Sequence, residues 1–193
     1  MLRRLYDWAM DMAGHRHALW VLAGVAFIES SVFPVPPDIL LIPMVLAARE
    51  RAWRIAAVAT VASVLGGGLG YLIGAALFET IGRPLLEFYG QMASFQEFQA
   101  LYHEWGAWIV AFAGFTPFPY KVITIASGVA DLDPVVFMAA SAVSRAARFF
   151  LVAALLWKFG PPIRTFIERH LPALAGLFFV LLFGGFLAIR YVL

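Results

Sequence analysis

Residues 27–43 read FIESSVFPVPPDILLIP and residues 112–128 read FAGFTPFPYKVITIASG, and these two stretches decide how the chain folds. In the first, Glu29 and Asp38 flank Pro34, Pro36 and Pro37; in the second, Lys121 follows Pro117 and Pro119; both lie inside strongly apolar sequence. Proline removes a backbone donor and clashes with the preceding turn, so each cluster predicts a broken helix. Broken backbone at membrane depth is tolerated only where protein or a wet cavity satisfies it, and a charge at the bilayer centre costs about 2.5–3.5 kcal/mol. Helix breaks that coincide with charges therefore predict a polar pathway inside the protein.

The rest of the composition agrees with a membrane setting. Of 193 residues, 63% are hydrophobic and 13% charged, with a mean hydropathy of +0.85, whereas soluble domains are about half apolar. This predicts one integral membrane domain over residues 1–193, since no stretch is polar enough to form a soluble module. Zero cysteines exclude disulfides, thiolate metal sites and cysteine nucleophiles. The net charge of +2 is spread along the chain and implies no nucleic-acid partner. His15, His17, His103 and His170 stand at segment edges without metal-ligand spacing, and neither a GxSxG elbow nor a Walker A loop occurs. The expectation is a protein that is not an enzyme and uses no metal or cofactor.

Apolar stretches cover residues 18–33, 39–48, 55–78, 107–130, 134–157 and 171–189. Crossing about 30 Å of hydrocarbon takes roughly 20 helical residues, so 55–78, 134–157 and 171–189 read as full transmembrane helices. Residues 18–48 read as a first re-entrant hairpin and 107–130 as a second; the competing reading is one or two kinked full spans, with 18–33 the first place to look for one. Leu85, Phe88, Met92, Phe95, Phe98 and Tyr102 recur at spacings of three or four, with Glu87, Gln91 and Glu97 interleaved. This predicts an interfacial amphipathic helix over 85–104, and residues 2–12 read as another. The expected fold is thus an all-α integral membrane protein. It has two re-entrant, proline-broken hairpins facing each other, about three full transmembrane helices, and interfacial helices.

The halves repeat weakly: Val25-Ala26-Phe27 resembles Val110-Ala111-Phe112, and Pro34-Val35-Pro36 matches Pro117-Phe118-Pro119, which sets Asp38 opposite Lys121. Paired interrupted segments in two halves point to a transporter's binding site, although matches this short also arise by chance. Residues 49–54 hold three arginines and residues 158–170 hold Lys158, Arg164 and Arg169, while 79–105 carry four glutamates against Arg83 alone. The positive-inside rule puts the two basic loops in the cytoplasm. With both hairpins re-entrant the N-terminus is then cytoplasmic and the C-terminus outside; a full span over 18–33 moves the N-terminus across.

Arg145 and Arg148 lie three apart in the apolar stretch 134–157, and Ser141 and Ser144 widen their polar stripe. With Glu29, Asp38 and Lys121 they make five charges that would together cost roughly 12–18 kcal/mol if none were paired. They must converge or meet water. A guanidinium fork suits carboxylate or phosphate, and lysine adds a point charge, so Arg145, Arg148 and Lys121 are candidate ligands for a lipid phosphate. Desolvation favours a neutral carboxyl and a neighbouring arginine favours the carboxylate, which makes Glu29 and Asp38 the candidates for charge balance or proton coupling. The blander reading is a set of ion pairs that only fixes the hairpins; three positive against two negative charges leave room for an anionic headgroup. Gly66, Gly70 and Gly74 recur every fourth residue and predict close helix packing. Pro34, Pro36, Pro117 and Pro119 are expected at hairpin turns, and Gly128 at a hairpin or helix end.

An acidic residue before a proline-rich turn, a second in the next apolar run, a GxxxGYxxG helix, a second proline-broken hairpin and two arginines in the following helix occur here in that order. In this the chain resembles the DedA family, the bacterial branch of proteins with the VTT, or SNARE-associated Golgi protein, domain, over about residues 20–160. It is most similar to the shorter YqaA-like members. The resemblance implies a multi-pass protein of the bacterial inner membrane with a flippase- or scramblase-like fold. It would move a phospholipid such as phosphatidylethanolamine, or undecaprenyl phosphate, between leaflets, with protons as a possible second partner and homo-oligomers possible. By position, Glu29 and Asp38 correspond to the family's membrane acidic pair and Arg145 and Arg148 to its essential arginines. The short Glu29–Asp38 separation, and Tyr120-Lys121 where an arginine-containing stretch is usual, depart from the family pattern and bear on substrate rather than fold. The alternatives are a proton-coupled carrier or channel for a small ion, and a structural membrane scaffold.

Overall fold

The computed structural model describes residues 17–32, 36–116, 118–160 and 162. The 2–12 helix, the 171–189 span, Pro34 and Pro117 lie outside them. Every regular element among the described residues is helical, with no strand. In chain order they are α1 (Ala18–Ser31), α2 (Asp38–Ala47), α3 (Ala52–Leu77), α4 (Arg83–Phe88), α5 (Met92–Phe115), α6 (Tyr120–Val129) and α7 (Pro134–Gly160). A 3₁₀ turn at Arg49–Arg51 opens α3, and a π turn at Phe78–Gly82 carries it into α4, so helix runs unbroken from Arg49 to Phe88.

Local chemistry accounts for the ends. α7 starts at a capped turn in which Asp133 Oδ1 accepts from the amides of Val135 at 2.8 Å and Val136 at 2.9 Å, with Pro134 in the first helical position. α6 stops where Asp131 takes φ +56°, and the amides of Leu132 and Asp131 bond the carbonyls of Ser127 and Gly128. The left-handed residue at this end is Asp131, and Gly128 has a different task. A Cβ on it would strike the Tyr71 carbonyl, so it lets α6 lie directly on the backbone of α3.

Residues 85–104 do not form one helix. The chain turns at Gly90, with φ +65°, and α5 then continues without interruption from Met92 to Phe115. No proline interrupts 92–115, and Gly106 is a packing position where a Cβ would meet Leu132, so nothing ends the helix before Thr116. The part of the amphipathic segment after Gly90 and the first arm of the second proline-broken stretch are therefore a single rod.

α3 and α7 run antiparallel as the two long members. At one end Trp53 stacks on Phe150 at 6.1 Å and meets Trp157, and the Arg49 guanidinium lies against Gly160. At the other, Tyr71 packs on Phe137 at 5.2 Å and donates to the Leu132 carbonyl at 2.7 Å. Each end has its own apolar core. Leu22 of α1, Leu41 and Val45 of α2, Ile55 and Ala59 of α3 and Phe149 and Ala153 of α7 fill the first. Tyr71 of α3, Tyr102 and Val110 of α5, Tyr120 of α6 and Phe137 of α7 fill the second.

Between the two cores lies a layer of buried polar residues: Ser30, Ser63, Thr124, Ser141, Ser144 and Arg145. Ser63 and Arg145 sit near the midpoints of α3 and α7. α1 runs from the first core to this layer and α2 runs back; α5 and α6 do the same from the opposite end. The tips of the two helix pairs meet there, where Thr124 Oγ1 of α6 lies 3.1 Å from the Ser30 carbonyl of α1.

Glycines make this convergence possible. A Cβ at Gly66 would run into the Phe27 carbonyl of α1, one at Gly70 into Thr124, and one at Gly74 into the Ile125 carbonyl of α6. The buried face of α3 is consequently made mostly of small residues, alanine and glycine with Ser63 among them, while Val61, Leu65, Leu69 and Leu72 are exposed on its other face. A soluble protein has the reverse pattern.

Candidate functional site

The site is built from four charges on three helices. Glu29 stands in the last turn of α1, Asp38 opens α2, and Arg145 and Arg148 rise one turn apart in the middle of α7. Arg145 Nη2 donates to Glu29 Oε2 at 2.9 Å, and Arg148 Nη2 donates to Asp38 Oδ2 at 2.6 Å. Residues 116 and 110 positions apart in sequence thus pair at one level of the molecule.

The surroundings of the two arginines differ. Arg145 has a 2% exposed side chain, and its Nε donates to Ser63 Oγ at 2.6 Å. Ser63 Oγ lies 2.7 Å from Ser30 Oγ, which is itself within reach of the Ala26 carbonyl at 2.9 Å and Glu29 Oε2 at 3.1 Å. The guanidinium carbon is 4.7 Å from the ring centre of Tyr120 and 4.8 Å from that of Phe149, so aromatic rings flank it as well. Tyr120 in turn donates a short bond to Ser141 Oγ. Ser144 lies where a Cβ on Gly114 of α5 would stand, which locks the far side of the layer to α7.

Arg148 is half-open by comparison, with 17% of its side chain exposed and 19% of Asp38. Its Nη1 donates to the Thr116 carbonyl at 2.8 Å, so one guanidinium holds both tips, Asp38 from the first helix pair and Thr116 from the second. Thr116 Oγ1, at the same place, is buried and has no hydrogen-bond partner among the described residues. Lys121, one residue into α6, donates from Nζ to the Val32 carbonyl at 3.3 Å and so adds a second bridge between tips. Pro36 precedes the turn that opens α2, and Pro119 stands immediately before α6, its extended ψ of 96° fixing the change of direction.

The structure therefore brings Glu29, Asp38, Arg145 and Arg148 together as two ion pairs, with Gly66, Gly70 and Gly74 on the α3 face against α1 and α6, and sets Lys121 at the neighbouring contact with Val32. Ser30, Ser63, Thr116, Thr124 and Phe149 belong to the same layer and were not singled out by sequence reasoning. Ser63, one of two hydroxyls with Thr60 in the apolar run before GGGLG, carried a usable signal; Phe149 and Thr116 carried none, because their roles arise only across helices. Among the described residues no three His, Cys, Asp or Glu side chains gather as metal ligands would. The arrangement offers charge-assisted binding and no nucleophile-and-base pair.

The VTT-domain family model matches residues 35–158, which include Asp38, Lys121, Arg145 and Arg148. An uncharacterized protein of Haemophilus influenzae is 38% identical over 168 residues, covering 85% of this chain and 87% of its own length. An uncharacterized protein of Histophilus somni is 39% identical over the same shares of each chain. No solved structure matches. With the family model spanning well over half of the chain, the protein belongs to the VTT-domain, or DedA, family of membrane-associated, transporter-like proteins.

Proposed function

We propose that the protein is a multi-pass protein of the bacterial cytoplasmic membrane that moves a phosphate-bearing lipid, of the phosphatidylethanolamine or undecaprenyl phosphate class, between leaflets. One observation carries the reading: a charged layer held midway between two apolar cores, at the middle of two helices long and apolar enough to cross a membrane. The 26 residues of α3 extend roughly 39 Å, enough for a hydrocarbon layer of about 30 Å. Exposed Val61, Leu65, Leu69 and Leu72 suit lipid, and the buried polar layer between the helices suits a headgroup path. In this reading both helix pairs are re-entrant, dipping from opposite faces to a shared midplane site.

The chemistry needed is electrostatic. A phosphate crossing hydrocarbon needs compensating charge, and Arg145, Arg148 and Lys121 exceed Glu29 and Asp38 by one. The acyl chains stay in the bilayer while the headgroup passes between the tips. Glu29 or Asp38 balances the charge or accepts a proton as the headgroup moves. The arginines of residues 49–54 and Lys158 share one end of the molecule, which the positive-inside rule assigns to the cytoplasm.

The test is reconstitution of the full chain into phosphatidylethanolamine–phosphatidylglycerol vesicles carrying a headgroup-labelled fluorescent phosphatidylethanolamine. The fraction bleached by external dithionite is measured with and without a pH gradient. The chain is expected to make inner-leaflet label accessible, and Arg148→Ala to return it to the protein-free level. Folded protein that conducts ions but moves no lipid would turn the reading toward an ion carrier.

A further inference from the structure

The two arginines have separate tasks, and this inference rests on the lipid-translocation reading for its ligand. We propose that Arg148 is the phosphate ligand and that it works by exchange: it leaves the Asp38 carboxylate for a phosphoryl oxygen, with Thr116 Oγ1 and Lys121 Nζ completing the site, while Arg145 stays fixed. The ligand class is a phosphate ester anion, and the competing occupant is Asp38 itself.

Five observations converge. Arg145 is enclosed, flanked by Tyr120 and Phe149, and bonded to both Glu29 and Ser63, so turning it away would strand a carboxylate that is only 13% exposed and break the Arg145–Ser63 bond. Arg148 and Asp38 both reach the surface of the layer, and Arg148 is joined to two tips that are separate elements. Asp38 is the first residue of the ten-residue α2, where the helix dipole favours a carboxylate left behind. Thr116 Oγ1 is buried without a partner beside the carbonyl that Arg148 already grips, and a hydroxyl there has a proton to give. Among the described residues Lys121 is held by the neutral Val32 carbonyl at 3.3 Å, a bond that an anionic oxygen replaces with a stronger one. Exchange also has a mechanical consequence. When Arg148 releases Asp38, one of the bridges between the two tips opens, so binding the headgroup loosens the closure in its path.

The purified full chain in detergent micelles is titrated with dihexanoyl phosphatidylethanolamine and, separately, with inorganic phosphate, following heat of binding and thermal midpoint. Removing the competitor by Asp38→Asn is expected to tighten binding on the order of tenfold. Glu29→Gln is expected to give no tightening, and Arg148→Lys to weaken binding by a similar factor. Tightening for the lipid alone assigns a headgroup site, and tightening for both probes assigns a site for the phosphate itself. Thr116→Val guards against a misfolded Asp38 variant: it removes a hydroxyl that has no partner, so the thermal midpoint should hold while affinity falls severalfold. Wild-type affinity in a folded Asp38→Asn or Thr116→Val protein overturns the exchange, as does tightening by Glu29→Gln instead. Lipid movement in vesicles that survives Arg148→Lys also defeats the exchange and leaves translocation standing. Tightening by Asp38→Asn in a protein that moves no lipid upholds the anion site and removes translocation.

Discussion

Arg145 and Arg148 stand one turn apart on the same helix, each opposite a carboxylate from the first helix pair, and yet one is sealed and the other is half-open. The sealed pair has hydroxyls and aromatic rings on every side given by its neighbours; the open pair has a backbone carbonyl and an unpartnered hydroxyl. Equal charges at equal spacing therefore come to different ends. One ion pair fixes the layer, and the other is placed where it can be exchanged.

The sharpest way to break this comparison is to truncate each arginine. Arg145→Ala leaves Glu29 without its partner in a nearly closed site and should lower stability by about 3–5 kcal/mol. Arg148→Ala leaves Asp38 at a helix start with some solvent access, and should cost about 1–2 kcal/mol. Thermal midpoints of the two variants in the same detergent measure the gap, and equal losses would erase the distinction between sealed and open. A somewhat smaller effect than that of Arg145→Ala is expected from Gly66→Ala, whose new Cβ meets the Phe27 carbonyl. Because backbone must shift, a loss of about 1–3 kcal/mol follows, and it should loosen the Ser63 side of the layer before the Arg148 side. Hydrogen exchange of α1 against that of α2 reads this out. The smallest effect lies outside the layer: Asp131→Gly relieves the φ of +56° at the end of α6 and should raise stability by about 0.5–1 kcal/mol, with lipid movement unchanged. A change in transport from that variant would mean that the α6–α7 turn also governs the site.

Much of the frame was legible in the residues. The helix breaks near Pro36 and Pro119, the long helices through residues 55–78 and 134–157, and the need of Glu29, Asp38, Arg145 and Arg148 for partners all follow from local rules about proline, apolar length and the cost of unpaired charge. The boundaries of the amphipathic region were not legible. Residues 85–104 carry one periodicity, but the positive φ at Gly90 and the absence of any stop before Thr116 divide that segment between α4 and α5. Gly128 shows the same limit, because a glycine near a helix end fits a cap as well as a close approach, and only the Tyr71 carbonyl in front of it decides.

The sequence by itself determined that the chain is helical and strongly apolar, broken twice by proline, and obliged to give Glu29, Asp38, Lys121, Arg145 and Arg148 partners or water. Tertiary structure alone decided that Glu29 belongs to Arg145 and Asp38 to Arg148, that Tyr120 and Phe149 close over the first pair, and that Thr116 is left with an unused hydroxyl beside the second. Periodicity and propensity act within a few residues along the chain. Burial is set by what packs from more than a hundred residues away, and here that depends on how closely α1 and α6 approach the glycine face of α3.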